Sequence, residues 1–497
     1  MNAQTTPNNK KQNSEFWGWI IAIVVGGVLA LLIALVSTHS SKFTNITHNA
    51  SHKLSDNPTA MMKESKKTNP TCTFSKQRNQ CFNTKEELCE ADIEAAKIAW
   101  TYFENNYQKE TGLFNAANNY PSTTMWDTGS ALAATIAAED FGFISKKEFD
   151  DKITALIKTL VKIKLFDDIA PNKVYNTKNV EMVTYANKVT PDGIGISVLD
   201  LARLVSWLNT LTCKHPKFKH QVKLALDRWN FDTLIKDGRM HSIKRYPKTG
   251  ETKSFQEGRF GYEQYAAKIL KREGHDLYIS STYNNQDRND IDILGVTVAT
   301  DNRTPEEYHS SNSVVSESYI MDAIENGYDD ENTAIIDNIY KVQKRRWEQT
   351  GIVTAISEDN INRKPYFIYN TIFSGGKTWV AKTSKGEILQ QHKTVSNKAA
   401  LAMAILYPED EYSTVLVDKV KSAYDPKKGW YSGIYENGDG YNSTTTANTN
   451  GVILSALLYK KYGSTYQICE KCQAEKKQKL DSKLEQEKLN AAQCQVN

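Results

Sequence analysis

The sequence predicts an all-α fold, an (α/α)6 toroid of helical hairpins with its long loops on one face, behind a single transmembrane helix. Three observations predict it. Helical hydrophobic periodicity dominates residues 84–465, the connections between helices alternate between short and long, and one uncharged apolar run stands near the N-terminus. Hydrophobic residues make up 40% and charged residues 24% of the chain, ordinary proportions that exclude global disorder. A formal net charge of +4 over 497 residues argues against a dedicated nucleic-acid binder, which would concentrate basic charge.

Residues 1–15 form a short N-terminal segment, and residues 16–36 read FWGWIIAIVVGGVLALLIALV without a charge. A membrane span needs ~20 apolar residues, so this run suffices as an anchor. A cleaved signal peptide would have an apolar stretch of only ~7–15 residues and a small-x-small site, which Ser37-Thr38-His39 does not supply. Trp17 and Trp19 suit the membrane interface. Lys10 and Lys11 precede the run and Lys42 follows it, which places the N-terminus in the cytoplasm and the main domain in the periplasm of a bacterial inner membrane. Residues 37–83 are Ser-, Thr-, Asn- and Lys-rich and lack apolar periodicity, so they are expected to be a disordered tether. Residues 466–497 form a charged, Cys-containing tail.

Six of the seven cysteines lie at or near the two ends of the body and only Cys213 lies deep inside it, so disulfides at the two ends are expected, with the pairing open. Cys469-x-x-Cys472 could be a redox or zinc pair, but a redox motif needs a βαβ context, which is absent, and zinc would need two further ligands nearby, so a structural or incidental role is expected.

The body, 84–465, takes its helices in order. The first opens with Thr84-x-x-Glu87, a capping box, and spans 84–108. Helices follow at 124–142 and 146–166, the latter with Ile153, Leu156, Ile157 and Leu160 on one stripe. The segment 194–213 is apolar nearly all round, which predicts burial on two sides. The remaining helices are expected at 216–230, 260–273, 313–327, 331–349, 395–407, 409–424 and 446–462. Eleven helices leave a sixth hairpin incomplete, and the missing helix is expected, short or irregular, in 274–312. Short connections force antiparallel neighbours, so every second connection falls at the same end of the array. The long connections, 109–123, 167–193, 231–259, 274–312, 350–394 and 425–445, therefore gather on one face.

A rigid scaffold presents function on its loops, and these loops are dense in carboxylates, amides and aromatic rings. Aromatic faces stack on sugar rings while Asn, Asp and Arg bond hydroxyls. Glycosidic cleavage needs one protonated and one ionised carboxyl group flanking a bond. Asp127, Glu257, Glu317 and Glu358 are the catalytic candidates. Glu257 is the general-acid candidate because it sits in a Gly-flanked loop with no helical role, and the other three are candidates for base or nucleophile. Asp127 and Glu317 also fall early in helices, where the dipole alone favours an acid. Trp126, Tyr175, Asn176, Arg259, Tyr262, Tyr369, Asn370, Trp430 and Asn450 are the substrate-binding candidates. No His cluster with metal-ligand spacing and no phosphate loop is present in the sequence, so no cofactor or metal is expected.

The strings YPSTTMWDTGSA, NKVYNT with GIGISVLDL, EGRFGYEQYAA, VVSESY, SEDNINRKPYFIYNTIF and GWYSGIYENGDGYN resemble the bacterial family called domain of unknown function 3131, over roughly residues 90–465. That family looks related to glucoamylase-like (α/α)6 domains of β-1,2-glucan-processing enzymes, most clearly in TMWDTGSALAATIAAEDFGFIS. The resemblance implies a carbohydrate-active toroid. The expected function is then a membrane-anchored, periplasm-facing glycoside hydrolase-like protein acting on an envelope or exported glucan through a carboxylate pair. The alternative is a non-catalytic glycan-binding or assembly component of a polysaccharide synthesis or secretion system, and a third reading is a structural partner of a membrane glycosyltransferase.

Overall fold

The computed structural model describes residues 88–246, 248–304 and 312–470. The expected anchor at 16–36, the tether at 37–83 and most of the tail lie outside them. The described residues all belong to one unit, Cys72–Asn497. Among them, no helix is long and apolar enough to cross a membrane.

Each of the eleven expected helices forms, several with an end set by a cap. Helix α1 (Glu90–Asn106) starts later than the Thr84 box predicts, because Asp92 accepts the backbone N–H of Cys89 and fixes the N-cap there. Then follow α2 (Met125–Asp140), capped by Thr124, and α3 (Lys146–Lys162), capped by a Ser145/Glu148 box. Helices α4 (Val198–Lys214), capped by Ser197, and α5 (Lys219–Leu226) form the next hairpin. The chain continues with α6 (Tyr262–Arg272) and α7 (Ser316–Met321), which runs on as a π-helical segment, Asp322–Asn326. Helices α8 (Thr333–Thr350), α9 (Asn397–Leu406), α10 (Glu411–Val420) and α11 (Ala447–Tyr462) complete the series.

Contacts run from α2 to α4, α6, α7, α9 and α11, and α11 packs back against α2, which closes an inner ring. The inner helices are buried on almost every side, α4 included. Small residues let them approach. A Cβ on Gly451 would lie 2.7 Å from the Cβ of Ser130, so α11 meets α2 nearly backbone to backbone. The outer layer holds α1 on α11, α3 beside α5, and α10 on α9.

The expectation of an all-α fold is corrected in two ways. The outer position between α6 and α8 holds no helix among its described residues. It holds an antiparallel hairpin that packs on α8. In addition, the long loops fold into small sheets, because backbone groups brought close to the core need hydrogen-bond partners. Five of these strands and the outer hairpin position the site. They are β1 (Arg239–Arg245) with β2 (Thr252–Gln256), the outer hairpin β3 (Arg288–Ile293) and β4 (Val296–Asp301), and the sheet β5 (Glu358–Asn360), β6 (Phe367–Ser374) and β7 (Lys377–Lys382).

Cys213 at the end of α4 is disulfide-bonded to Cys469, across 256 residues of sequence. Cys469 therefore pairs into the body.

Candidate active site

A cavity of about 500 Å³ opens over the N-terminal ends of the inner ring. Its wall takes Trp126 and Asp127 from α2, Leu199 and Asp200 from α4, Tyr262 from α6, Val315 ahead of α7, Lys398 from α9, and Asn448 and Thr449 from α11. All six long connections thus end at one cavity. Helix N-termini favour anions, which accounts for acids in these first turns. Thr124-x-x-Asp127 and Ser197-x-x-Asp200 are two copies of one local device. In each, the capping hydroxyl accepts the N–H of the aspartate and holds its first turn, at 3.0 Å for Asp127 and 3.3 Å for Asp200.

The sheet β5–β6–β7 supplies a second wall. Its register aligns Glu358 with Tyr369 and Tyr369 with Lys382, so the three side chains form a row across one face, and all three line the cavity. The hairpin β1–β2 leads into Glu257, whose N–H is held by Met240 O at 2.9 Å.

The four catalytic candidates converge here. Asp127, Glu257 and Glu358 line the cavity, and Glu317 lies buried just beneath it. Glu257 Oε2 accepts the N–H of Val198 at 2.5 Å and of Leu199 at 3.2 Å, so one of its oxygens caps α4. Burial nevertheless raises its pKa above the usual range, as it does for Asp127. Glu358 Oε1 accepts a hydrogen bond from Tyr262 Oη at 2.6 Å. Burial, followed by the charge of Glu317, pushes Glu358 up to about 7. Glu317 goes the other way. Burial would raise it, but Lys398 Nζ at 2.6 Å and Asn448 Nδ2 at 2.7 Å hold it ionised, below the usual range.

Beneath the cavity, Asn448 Oδ1 accepts Trp126 Nε1 at 3.0 Å and Arg203 Nη1 at 2.9 Å. The buried Arg203 guanidinium lies 4.4 Å from the Trp126 ring, so Trp126 is fixed from below and from its edge.

Of the substrate-binding candidates, Trp126, Arg259, Tyr262 and Tyr369 line the cavity. The others do not. Tyr175 is fully buried and donates to Lys164 O at 2.6 Å. Asn176 caps its own turn by accepting Lys178 N–H at 2.9 Å. Asn370 is buried and donates to Thr394 Oγ1 at 3.0 Å. Trp430 packs in the wall behind α1, with Nε1 donating to Ala95 O at 3.0 Å. Asn450 accepts Trp430 N–H at 2.8 Å. Each is held by these hydrogen bonds outside the cavity wall.

The sequence reading missed Asp200, Asp359, Lys398 and Asn448. Asp200 is pushed up to about 7 by burial and then by Glu257. Asp359, with Lys398 Nζ at 3.3 Å, is pushed up to about 6 by burial. The Ser197-x-x-Asp200 cap was the signal for the first, since it repeats the Asp127 pattern. Among the described residues, no His, Cys, Asp and Glu cluster could hold a metal ion.

The fold and site define a helical ring with an acidic, ring-lined cavity at its centre. The chain belongs to the family described as Protein of unknown function (DUF3131), whose model matches residues 94–463. No curated protein matches it in sequence. Solved structures resemble it in fold. An endo-β-1,2-glucanase from Chitinophaga pinensis, in complex with sophorotriose and glucose, has a TM-score of 0.55 at 11% identity, over 77% of this chain and 95% of that one. An endo-β-1,2-glucanase from Talaromyces funiculosus, in complex with sophorose, has a TM-score of 0.53 at 12% identity, over 78% and 86%. A protein provisionally assigned as a glucoamylase, from Bacteroides caccae, has a TM-score of 0.56 at 12% identity, over 76% and 95%.

Proposed function

We propose that this protein is a glycoside hydrolase acting on a glucan of the cell envelope or a glucan in export. The observation that carries the reading is the meeting of Asp127 and Asp200, from the first turns of α2 and α4, with Glu257 and Glu358, from two long connections, around one cavity with Trp126, Tyr262 and Tyr369. Glycosidic cleavage needs one carboxyl group still protonated near neutral pH and a second that is ionised. Glu358 meets the first need, because burial and the Glu317 charge favour its proton. Glu257 is the candidate for the second: burial raises its pKa, but two main-chain N–H groups at a helix N-terminus oppose that by stabilising charge on its Oε2. This exchanges the role first expected of Glu257. The structural likeness to endo-β-1,2-glucanases supports a β-1,2-linked glucose polymer as the first substrate to try.

The chain works as an anchored protein with residues 16–36 in the membrane and its ring in the periplasm. The Cys213–Cys469 disulfide supports an oxidising compartment for the ring. A membrane glycosyltransferase is the partner this arrangement suits.

The test is release of reducing ends from a panel of purified glucans, with Glu358→Gln and Glu257→Gln beside the unmodified chain. Activity on at least one glucan, lost in both folded variants, supports the reading. Binding to a glucan without any turnover by the unmodified chain would favour a glycan-binding or assembly role instead.

A further inference from the structure

A smaller cavity of about 200 Å³ adjoins the cleft. Arg259, Ser313 and Lys382 line both, so the two share a wall. The large cavity is rich in acids. Among the described residues, the only acid in the wall of the small one is Asp301, and it is already engaged by Arg303 and by the N–H of Phe260.

Lys382 is the unusual group. It is 7% exposed, and its ammonium donates to Ser374 Oγ. Ser374 donates in turn to Asn312 O, so its hydroxyl is free to accept. Among the described residues, no carboxylate lies within ion-pair distance of Lys382. Burial alone acts on its titration, and lowers it. Other buried cations are matched: Lys398 by Glu317, Arg203 by Glu325, Arg303 by Glu263 and Asp301, and Lys460 by Asp92. A buried, unmatched ammonium costs several kcal/mol in general, and an anion beside it repays that cost.

The position of Lys382 is also specific. It ends the cross-strand row Glu358–Tyr369–Lys382, so it stands beside the chemistry and at the opening of the small cavity. We infer that the small cavity is an anion subsite of the cleft, taking a carboxylate or phosphate substituent of an acidic glucan through Lys382 and Arg259. The assignment of a glucan as the carrier rests on the glycoside hydrolase reading. The anion site itself does not.

The experiment is calorimetry on the full-length chain with three β-1,2-linked glucose oligosaccharides of equal length. One is neutral, one carries a single phosphate and one carries a single carboxylate. The charged forms are expected to bind roughly tenfold or more tightly than the neutral one, with the gap shrinking as salt rises. In Lys382→Met the ratio of charged to neutral affinity falls to about one, and in Lys382→Arg it is largely kept. A preference for either anion upholds the inference and names the substituent. Equal affinity for all three forms, or a preference that survives in Lys382→Met, overturns it. If no oligosaccharide binds, inorganic phosphate decides. Phosphate binding that is lost in Lys382→Met upholds the anion subsite while the glucan reading falls, and no phosphate binding overturns both.

Discussion

If Glu358 donates the proton, the alkaline limb of kcat/KM reports its pKa in the free protein. That limb is expected near pH 7, where Glu358 titrates. Two neighbours act on it in opposite directions. The Tyr262 hydroxyl, at 2.6 Å, stabilises the carboxylate and lowers the pKa, while the charge of Glu317 raises it. A hydrogen bond to a charged group contributes ~1.5–3 kcal/mol, and ~1.4 kcal/mol is one pH unit. Tyr262→Phe should therefore move the limb to higher pH by about one unit. Glu317→Gln should move it to lower pH by about one unit or more, because it removes a like charge and leaves Lys398 facing fewer acids. The assay is the pH dependence of kcat/KM on the glucan that gives turnover. Asp200 also titrates near 7, but its neighbours are Glu257, Ser197, Asp127 and Lys173. If both variants leave the limb in place and Asp200→Asn removes it, Glu358 is not the donor. Shifts of the same sign in the two variants would also refute the assignment.

Asn448→Ala leaves Trp126 Nε1, Arg203 and Glu317 each short of a partner, so it should cost about 2–4 kcal/mol in chemical denaturation and lower turnover more than ten-fold. Replacing Cys213 and Cys469 together with Ser opens a loop of 256 residues and should cost roughly 3–5 kcal/mol in denaturant unfolding, with added reductant then having little further effect at this bridge. Asp200 titrates near 7 in the fold and near 3.8 when unfolded, so its contribution to stability is whole below about pH 4 and lost as pH rises through 7. Asp200→Asn should accordingly raise Tm relative to the unmodified chain at pH 8, by up to about 4 kcal/mol in stability, and change little at pH 4.

The inner ring was legible because its helices are long, apolar and separated by alternating connections. Both signals survive without any tertiary information. The hairpin β3–β4 was not legible for a particular reason. Its turn is Leu294-Gly295, with φ of 55° and 75°. A two-residue hairpin turn of this kind is recognised by Asn-Gly or Asp-Gly, since both residues need positive φ. Leucine in the first position hides the signal, although Ile291, Ile293, Val296 and Val298 alternate around it. The strand β6 was hidden differently. Its FIYNTIF alternation was present, but its Tyr and Asn suggested a binding loop before they suggested a strand.

The site follows the same division between type and phase. Composition indicated that acids and rings gather in the long loops, and the structure brings the loops together. It could not indicate which neighbour in a run turns inward. On α11, Asn448 and Asn450 are two residues apart, about 200° around the helix, so they face opposite ways. Asn448 reaches the cavity wall and Asn450 turns back to Trp430. On β6 the period is two, so Tyr369 joins the row with Glu358 while Asn370 points into the core. The same alternation puts Lys382 on the row and Ala381 behind it. Choosing the functional residue within each pair thus needs the element type first. Where the strand was not recognised, the buried lysine at its end could not be either.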